Sequence, residues 1–192
     1  MLRTNLRARL SFLVLLGVMV ASVSAYAGSA VIGSVAGSMN ATIGGQALMP
    51  NTTVFSGDSL QVKDGAAVVA VGQGSRLVFG RETVASFLRD ESEVTVLLGQ
   101  GNVSMYHANA QVGLRVKAGE ISVLPAAGYK TLGEVAMVNG AVVVTTKEGL
   151  LRVEGSGPAV EVAKGKTITV HAKAARAPQG GAGAGVAGEV GS

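Results

Sequence analysis

The chain has 192 residues, a formal net charge of +4, no cysteine and only 4% aromatic residues. The lack of cysteine excludes disulfides, thiol nucleophiles and thiolate-bound metals, and the few aromatic side chains disfavour a stacking platform for carbohydrate or single-stranded nucleic acid. The length is that of one domain with a sizeable hydrophobic core.

Residues 1–27 have the three-part plan of a secretory signal peptide. Arg3, Arg7 and Arg9 precede an apolar stretch from Leu10 to about Val23, and the segment ends at Ala27. About 14 apolar residues span roughly 21 Å as a helix, which is shorter than the ~30 Å hydrocarbon core of a bilayer. We therefore predict a signal helix that is cleaved after Ala27. The alternative is an uncleaved N-terminal anchor, because residues 28–36 remain weakly apolar.

Cleavage at this position changes the charge of the protein. It removes three arginines and no acidic residue, so the formal net charge falls from +4 to +1. The basic character of the whole chain is thus largely a property of the export signal, and it does not predict nucleic-acid binding. A residual basic cluster at Lys164, Lys166, Lys173 and Arg176 is interpreted as a solvated face at the start of a tail.

From residue 28 to residue 170 the sequence predicts a single all-β domain. Short runs of Val, Leu and Thr are separated by Gly-Asp, Asp-Gly and Gly-Ser steps, a pattern typical of strands joined by tight turns. The spacing fits a β-sandwich or a β-solenoid-like fold, and alternation does not separate the two. The predicted strands are residues 30–35, 38–43, 54–55, 59–62, 66–71, 76–79, 93–98, 102–106, 112–116, 120–124, 134–138, 141–145, 150–153, 160–162 and 167–170.

Three features interrupt this pattern. Residues 82–89 favour a helical turn. At five places a glycine precedes alternating Val, Leu or Ile, and we interpret this glycine as the turn residue at the start of a strand. These glycines are Gly57, Gly101, Gly119, Gly140 and Gly165. Residues 171–192 are rich in Ala and Gly without apolar periodicity, which predicts a disordered tail.

No arrangement of residues predicts a catalytic, cofactor-binding or metal site. His107 and His171 lack partners at the spacing that catalysis or metal binding requires, and we interpret His107 as a surface-loop residue. Asp58 and Asp64 stand in Gly-Asp and Asp-Gly steps, where turn formation explains an aspartate that bonds to the nearby backbone.

Two segments share features with ligand-binding loops. Residues 90–93, Asp-Glu-Ser-Glu, are acidic, but their spacing fits no recognised calcium loop and a solvated loop is the preferred interpretation. Residues 72–76, Gly-Gln-Gly-Ser-Arg, have the glycines of a phosphate-binding loop. They lead into a predicted strand, however, and not into the helix N-terminus that such a loop requires.

The order of the motifs resembles the FecR-like domain, a family named for periplasmic regulators of ferric siderophore uptake. The resemblance runs from about Val31 to Val170 and is most specific in the central Gly-Asp and Gly-Ser-Arg-Leu segments. The motifs that carry it are residues 35–37, 57–60, 64–69, 74–79, 97–103, 138–144 and 164–167.

This resemblance implies an all-β fold and a place in the envelope of a Gram-negative-type bacterium. Regulators of the family look like three-part molecules, with a cytoplasmic segment that binds a sigma factor, one membrane span and a periplasmic domain that contacts an outer-membrane receptor. Here about nine residues precede the apolar run, too few for a sigma-binding segment. We therefore expect a stand-alone FecR-type β domain.

These observations favour a non-enzymatic, periplasmic or secreted protein that binds another envelope protein in an accessory or sensing role. An exposed strand edge is the expected contact surface, because such edges are templates for strand addition. The alternative is a structural or self-assembling envelope module with the Gly/Ala-rich tail as its tether. An enzyme acting on envelope polymers has the least support. We expect no nucleic-acid partner and no stable membrane span after signal cleavage, and the sequence leaves the partner and the oligomeric state open.

Overall fold

The computed structural model describes residues 29–72, 74–108 and 111–171, and within these residues the chain is all-β, without a helix. The predicted signal segment at residues 1–27 and the predicted tail beyond His171 lie outside the described residues. Fourteen strands are formed in the described part of the chain: β1 (Val31–Ile43), β2 (Gln46–Ala47), β3 (Thr53–Phe55), β4 (Ser59–Val71), β5 (Ser75–Phe79), β6 (Thr83–Arg89), β7 (Glu93–Ala108), β8 (Gly113–Ala118), β9 (Ile121–Pro125), β10 (Lys130–Val138), β11 (Ala141–Glu148), β12 (Leu150–Glu154), β13 (Val160–Ala163) and β14 (Thr167–His171).

The predicted all-β character is confirmed, but several predicted turns lie inside strands. The six predicted strands at residues 30–35, 38–43, 59–62, 66–71, 93–98 and 102–106 merge in pairs into β1, β4 and β7. Gly101 therefore lies within β7 and not before a strand. The reason is that the residues that form tight turns also form β-bulges, where the register shifts but the strand continues.

The predicted helical turn at residues 82–89 is wrong, because this segment is strand β6. Its buried residues are Thr83, Ala85 and Phe87, which is the two-residue period of a strand with one face in the core. β6 is held between two other strands, β4 and β7, so tertiary pairing decides its conformation over local preference.

The strands form one sheet that divides into two branches at β7. β1, β4, the collinear pair β5 and β6, and β7 run antiparallel to one another. Beyond β7, its first half pairs with β8 in parallel and leads to β9, β12 and β13. Its second half pairs with β10 and leads to β11 and β14.

A contact between a threonine and a glycine occurs twice in the sheet. The Thr83 hydroxyl contacts the carbonyl oxygen and the N–H of Asn102, each at 3.1 Å, beside Gly101 with φ 81°. The Thr131 hydroxyl contacts the carbonyl oxygen of Leu150 at 3.4 Å, beside Gly149 with φ 76°. Both residues of the second contact lie 48 positions after those of the first (83 to 131, and 101 to 149), so one local design occurs twice.

The buried faces of both branches contribute to a single hydrophobic cluster. Val123 and Val153 enter it from one branch, and Val135 and Val144 from the other. Among the described residues, no buried side-chain nitrogen or oxygen lacks a hydrogen-bond partner. The protein is thus held by a continuous core with its few buried polar groups satisfied, as a domain without disulfides requires.

Candidate functional site

His107 is a buried strand residue, and its predicted place in a surface loop is wrong. It belongs to β7, is 9% exposed, and its Nδ1 lies 2.9 Å from the Oγ of Ser75. Ser75 and Thr131 are its neighbours on the two adjacent strands, and both are also buried. β7 continues past Gly101 to Ala108, and strand alternation then directs His107 inward.

The Ser75–His107 pair does not have the geometry of an activated nucleophile. Ser75 is only 5% exposed, so a substrate carbonyl has little access to its hydroxyl. A catalytic histidine also needs a third group that orients it, and no carboxylate hydrogen-bonds to this ring within the described residues. The pair is better explained as a satisfied polar contact in the core.

Burial lowers the pKa of His107, because desolvation disfavours the charged imidazolium. The unfolded chain, with an ordinary histidine pKa near 6.5, therefore binds the proton more readily than the folded protein. It follows that this group's contribution to stability is fully present above pH ~6.5 and is lost as the pH falls below that value. We expect the free energy of unfolding by urea to be lower at pH 5.5 than at pH 7.5.

Substitution of either histidine tests the origin of this pH dependence. His107→Asn should reduce the difference in unfolding free energy between pH 5.5 and pH 7.5. The matched control His171→Asn, at an exposed position, should leave the difference as in the wild type. An unchanged pH dependence in His107→Asn would show that other groups cause it.

The two aspartates predicted in turns have different environments. Asp58 is confirmed in its turn role, since its Oδ2 accepts the N–H of Phe55 at 2.8 Å. Asp64 lies within β4 at a bulge, and the predicted turn there is wrong. Its carbonyl oxygen accepts the side-chain amide of Asn40 at 2.8 Å. A Cβ at Gly65 would overlap the carbonyl oxygen of Met39, so close approach of β1 at the bulge, and not a turn, explains the glycine.

The two segments with features of ligand-binding loops form connections between consecutive strands. The segment at residues 90–93 is a tight connection in which the N–H of Asp90 donates to the carbonyl oxygen of Glu93 at 3.0 Å. No group of three acidic, histidine or cysteine side chains suited to a metal ion occurs among the described residues. Gly72 and Gly74 have positive φ values of 54° and 91° and lead into strand β5, which lacks the helix N-terminus of a phosphate site.

A cleft of about 630 Å³ lies beside His107, lined by polar and apolar side chains from β7, β8, β9, β12, β13 and the segment before β10. One of its two carboxylates, that of Glu93, is held by Arg115, with Nε and Oε1 2.8 Å apart. Hydrogen bonding to Glu93 raises the pKa of Arg115, although burial opposes this effect. In this cleft Glu93 is thus paired with Arg115 and His107 bonds to Ser75, while the second carboxylate of the lining, that of Glu161, is exposed.

The outer edge of β14 is a surface of another kind. Within residues 29–72, 74–108 and 111–171, β14 pairs with β11 on one side and with no strand on the other. The N–H of Thr146 donates to the carbonyl oxygen of Lys166 at 3.0 Å, which fixes the hydrogen-bonding register. Because bonded and non-bonded pairs alternate in an antiparallel ladder, the backbone groups of Thr167, Thr169 and His171 face away from β11. We call this set of outward backbone groups the β14 edge.

The β14 edge lacks the features that protect the edge strand β13. Residues 167–170 contain no charge and no proline, whereas the neighbouring edge strand β13 carries the exposed Glu161 and follows Pro158. Charged residues and proline are the usual means by which edge strands avoid pairing with other chains. By this criterion β14 is better suited than β13 to accept a further strand, and with five residues it is longer than the uncharged edge strands β2 and β3.

The other edge of the sheet, at β1, shows the effect of a segment that covers an edge strand. There the chain covers β1 with its own segment, in which the N–H of Asn51 donates to Val35 at 2.8 Å and β3 pairs with β1. Leu48 and Val54 of this segment are buried against the core. At β14, Ile168 and Val170 pack against the core but remain only partly buried, and no described segment covers them.

The sequence predicted β14 as a strand but did not identify it as the edge strand. The available signal was its position as the last strand before the change of composition, together with its uncharged Thr-Ile-Thr-Val pattern. Among the described residues we also find no helical segment with the length and hydropathy that a bilayer crossing requires.

Comparison with known proteins assigns no family to the chain. No protein-family model matches it, and no curated protein matches it significantly. The resemblance to the FecR-like domain therefore rests on the sequence motifs themselves.

Proposed function

We propose that this protein is an exported, FecR-like β domain without enzymatic activity, and that it binds another envelope protein in an accessory or sensing role. The observation that carries the proposal is the β14 edge, an uncharged and unpaired strand at the end of a long sheet. Strand addition at such an edge supplies affinity through main-chain hydrogen bonds, and alternate side chains supply specificity.

The pairing pattern supports a β-sandwich as the fold in preference to a β-solenoid. Of the fourteen strand pairings in the described residues, the β7–β8 pairing alone is parallel, whereas the parallel β-helix stacks parallel strands. The long strands β4 and β7 each pair with β6 along one part of their length and with β5 along the other. Strands that change sheets at bends form the corners of orthogonally packed sandwiches.

Export to the periplasm or beyond is supported by the basic, apolar and small-residue plan of residues 1–27. Because the chain has no cysteine, the domain depends on its hydrophobic core and not on disulfides in whichever compartment it occupies. Determination of the mature N-terminus by mass spectrometry tests this part of the proposal, and Gly28 is the expected first residue.

Thr169→Pro tests strand addition at the β14 edge. The N–H of Thr169 faces away from β11, so proline removes an outward donor while the bonds between β11 and β14 remain. Loss of one or two backbone hydrogen bonds at ~0.5–1.5 kcal/mol each, together with the steric effect of the ring, should weaken partner binding about tenfold or more. The measurement is recovery of the partner from native envelopes after gentle crosslinking, followed by titration with the purified partner.

Thr169→Ala is the matched control, because it removes the same side chain but keeps the backbone N–H. We expect Thr169→Ala to bind as the wild type does, and both variants to show wild-type urea midpoints. If folded Thr169→Pro captures the same partner with wild-type affinity, binding by strand addition at this edge is wrong.

A structural or self-assembling envelope module is the second candidate function. It is favoured by one specific observation, namely that the β14 sequence is complementary to itself in an antiparallel register.

A further inference from the structure

We propose that the strand added at the β14 edge is β14 of a second copy of this chain, paired antiparallel about a two-fold axis at Thr169. The inference rests on the second candidate function, the self-assembling module, and it uses the same β14 edge as the proposed function. A two-fold contact of this kind uses the same surface on both copies and closes on itself.

The backbone register is self-complementary. In an antiparallel pair centred on Thr169, Thr167 of one copy lies opposite His171 of the other, and the two Thr169 residues face each other. These three residues are the ones whose backbone groups face away from β11. Every outward N–H and C=O group of the edge therefore meets a partner, and the hydrogen-bonded and non-hydrogen-bonded pairs alternate as an antiparallel ladder requires.

The side chains agree with this register. Ile168 of one copy lies opposite Val170 of the other, and both residues point to the core side, where they are partly buried. Apolar cross-strand pairs stabilise a sheet, and like charges directly opposite each other destabilise it. Residues 167–170 carry no charge, so the two copies meet without repulsion, and the contact covers apolar surface that no described segment covers.

Two other occupants fit the edge less well. Residues 172–192 contain only two β-branched residues, Val186 and Val190, together with many glycines and Pro178, which is a composition unsuited to a strand. A strand of another protein would satisfy the same backbone groups, but it would need its own alternation of apolar and small polar residues. The second copy already has this alternation in β14.

A single-cysteine experiment tests the register directly, because the chain contains no cysteine. In the proposed dimer the two Thr169 Cα atoms form a hydrogen-bonded pair about 5.5 Å apart, within the ~4.4–6.8 Å range that a disulfide spans. The two Thr167 residues are offset by four positions along the strands, or about 13 Å, which a disulfide cannot bridge. Thr169→Cys should form a disulfide-linked dimer under mild oxidation at least ~10-fold faster than Thr167→Cys.

The two cysteine variants are closely matched, since both replace an exposed threonine on the same face of β14. Equal rates of dimer formation, or none in either variant, would overturn the proposed pairing. Sedimentation of the cysteine-free protein gives a second readout: self-association that Thr169→Pro abolishes and Thr169→Ala retains supports the pairing, and association that both variants retain contradicts it.

Failure of this inference is distinguishable from failure of the proposed function. Suppose that Thr169→Cys does not crosslink selectively, but that Thr169→Pro no longer captures an envelope protein other than this chain. The partner is then not a second copy, and the proposal that the β14 edge is the binding site is retained. If neither crosslinking nor partner capture depends on residue 169, the edge is not the binding site and both proposals are wrong.

Discussion

Replacement of Gly149 by alanine should lower the free energy of unfolding by about 3 kcal/mol or more. Gly149 has φ 76°, a left-handed conformation that costs alanine about 1–2 kcal/mol. A Cβ at this position would also overlap the carbonyl oxygen of Lys130 and approach the Oγ1 of Thr131 to 2.7 Å. Lys130 pairs with Ala108 of β7, and the hydroxyl of the next residue, Thr131, contacts the carbonyl oxygen of Leu150, so this backbone has little freedom to move away.

Gly140→Ala separates the steric effect from the backbone effect. Gly140 has nearly the same φ, 78°, but an added Cβ there meets no atom within 4 Å. We therefore expect Gly140→Ala to cost only about 1 kcal/mol. Urea unfolding of both variants measures the difference, and equal costs would contradict the close approach of Gly149 to Thr131.

The strands could be predicted because their cause is local. Alternation of apolar and polar residues in segments such as Glu93–Leu98 follows directly from one buried face. The joining of strands could not be predicted in the same way. Gly65 and Gly101 have the local chemistry of turn residues, and the neighbouring strands, which are distant in sequence, determine whether the chain reverses or continues through a bulge.

Residues 82–89 show how local and tertiary preferences conflict. Val84, Ala85, Phe87 and Leu88 repeat at the three- and four-residue spacing of a helix. In the fold, however, this segment fills the place between β4 and β7, where its backbone groups bond on both sides. Pairing partners that are supplied by distant parts of the chain outweigh a weak periodic signal.

The sequence predicted the candidate binding edge only in part, for the same reason. The sequence indicated that an edge strand would be the binding surface, but the position of a strand in a sheet depends on pairings across long separations. β14 pairs with β11 and not with β13, its neighbour in sequence. The burial of His107 was missed because the predicted strand ended at residue 106, whereas β7 extends to Ala108 and continues the inward alternation of Val103 and Met105.

The second large effect is expected from Phe87→Ala, which should lower the free energy of unfolding by about 3–5 kcal/mol. Phe79 and Phe87 are both fully buried and meet edge to face, with ring centroids 5.6 Å apart and planes at 85°. They lie on the collinear strands β5 and β6, on either side of the interruption at residues 80–82. Truncation leaves a cavity that the surrounding strands cannot close without loss of hydrogen bonds.

Phe55→Ala is the matched control, because Phe55 is also a strand residue but is 38% exposed. It should cost about 1 kcal/mol, as a partly exposed substitution does. A cycle of Phe79→Leu, Phe87→Leu and the double variant then isolates the contact between the two rings, and we expect a coupling of about 1 kcal/mol. A coupling near zero would show that each ring acts through its own half of the core. A measurable coupling would show that the pair joins the two halves where the strand is interrupted.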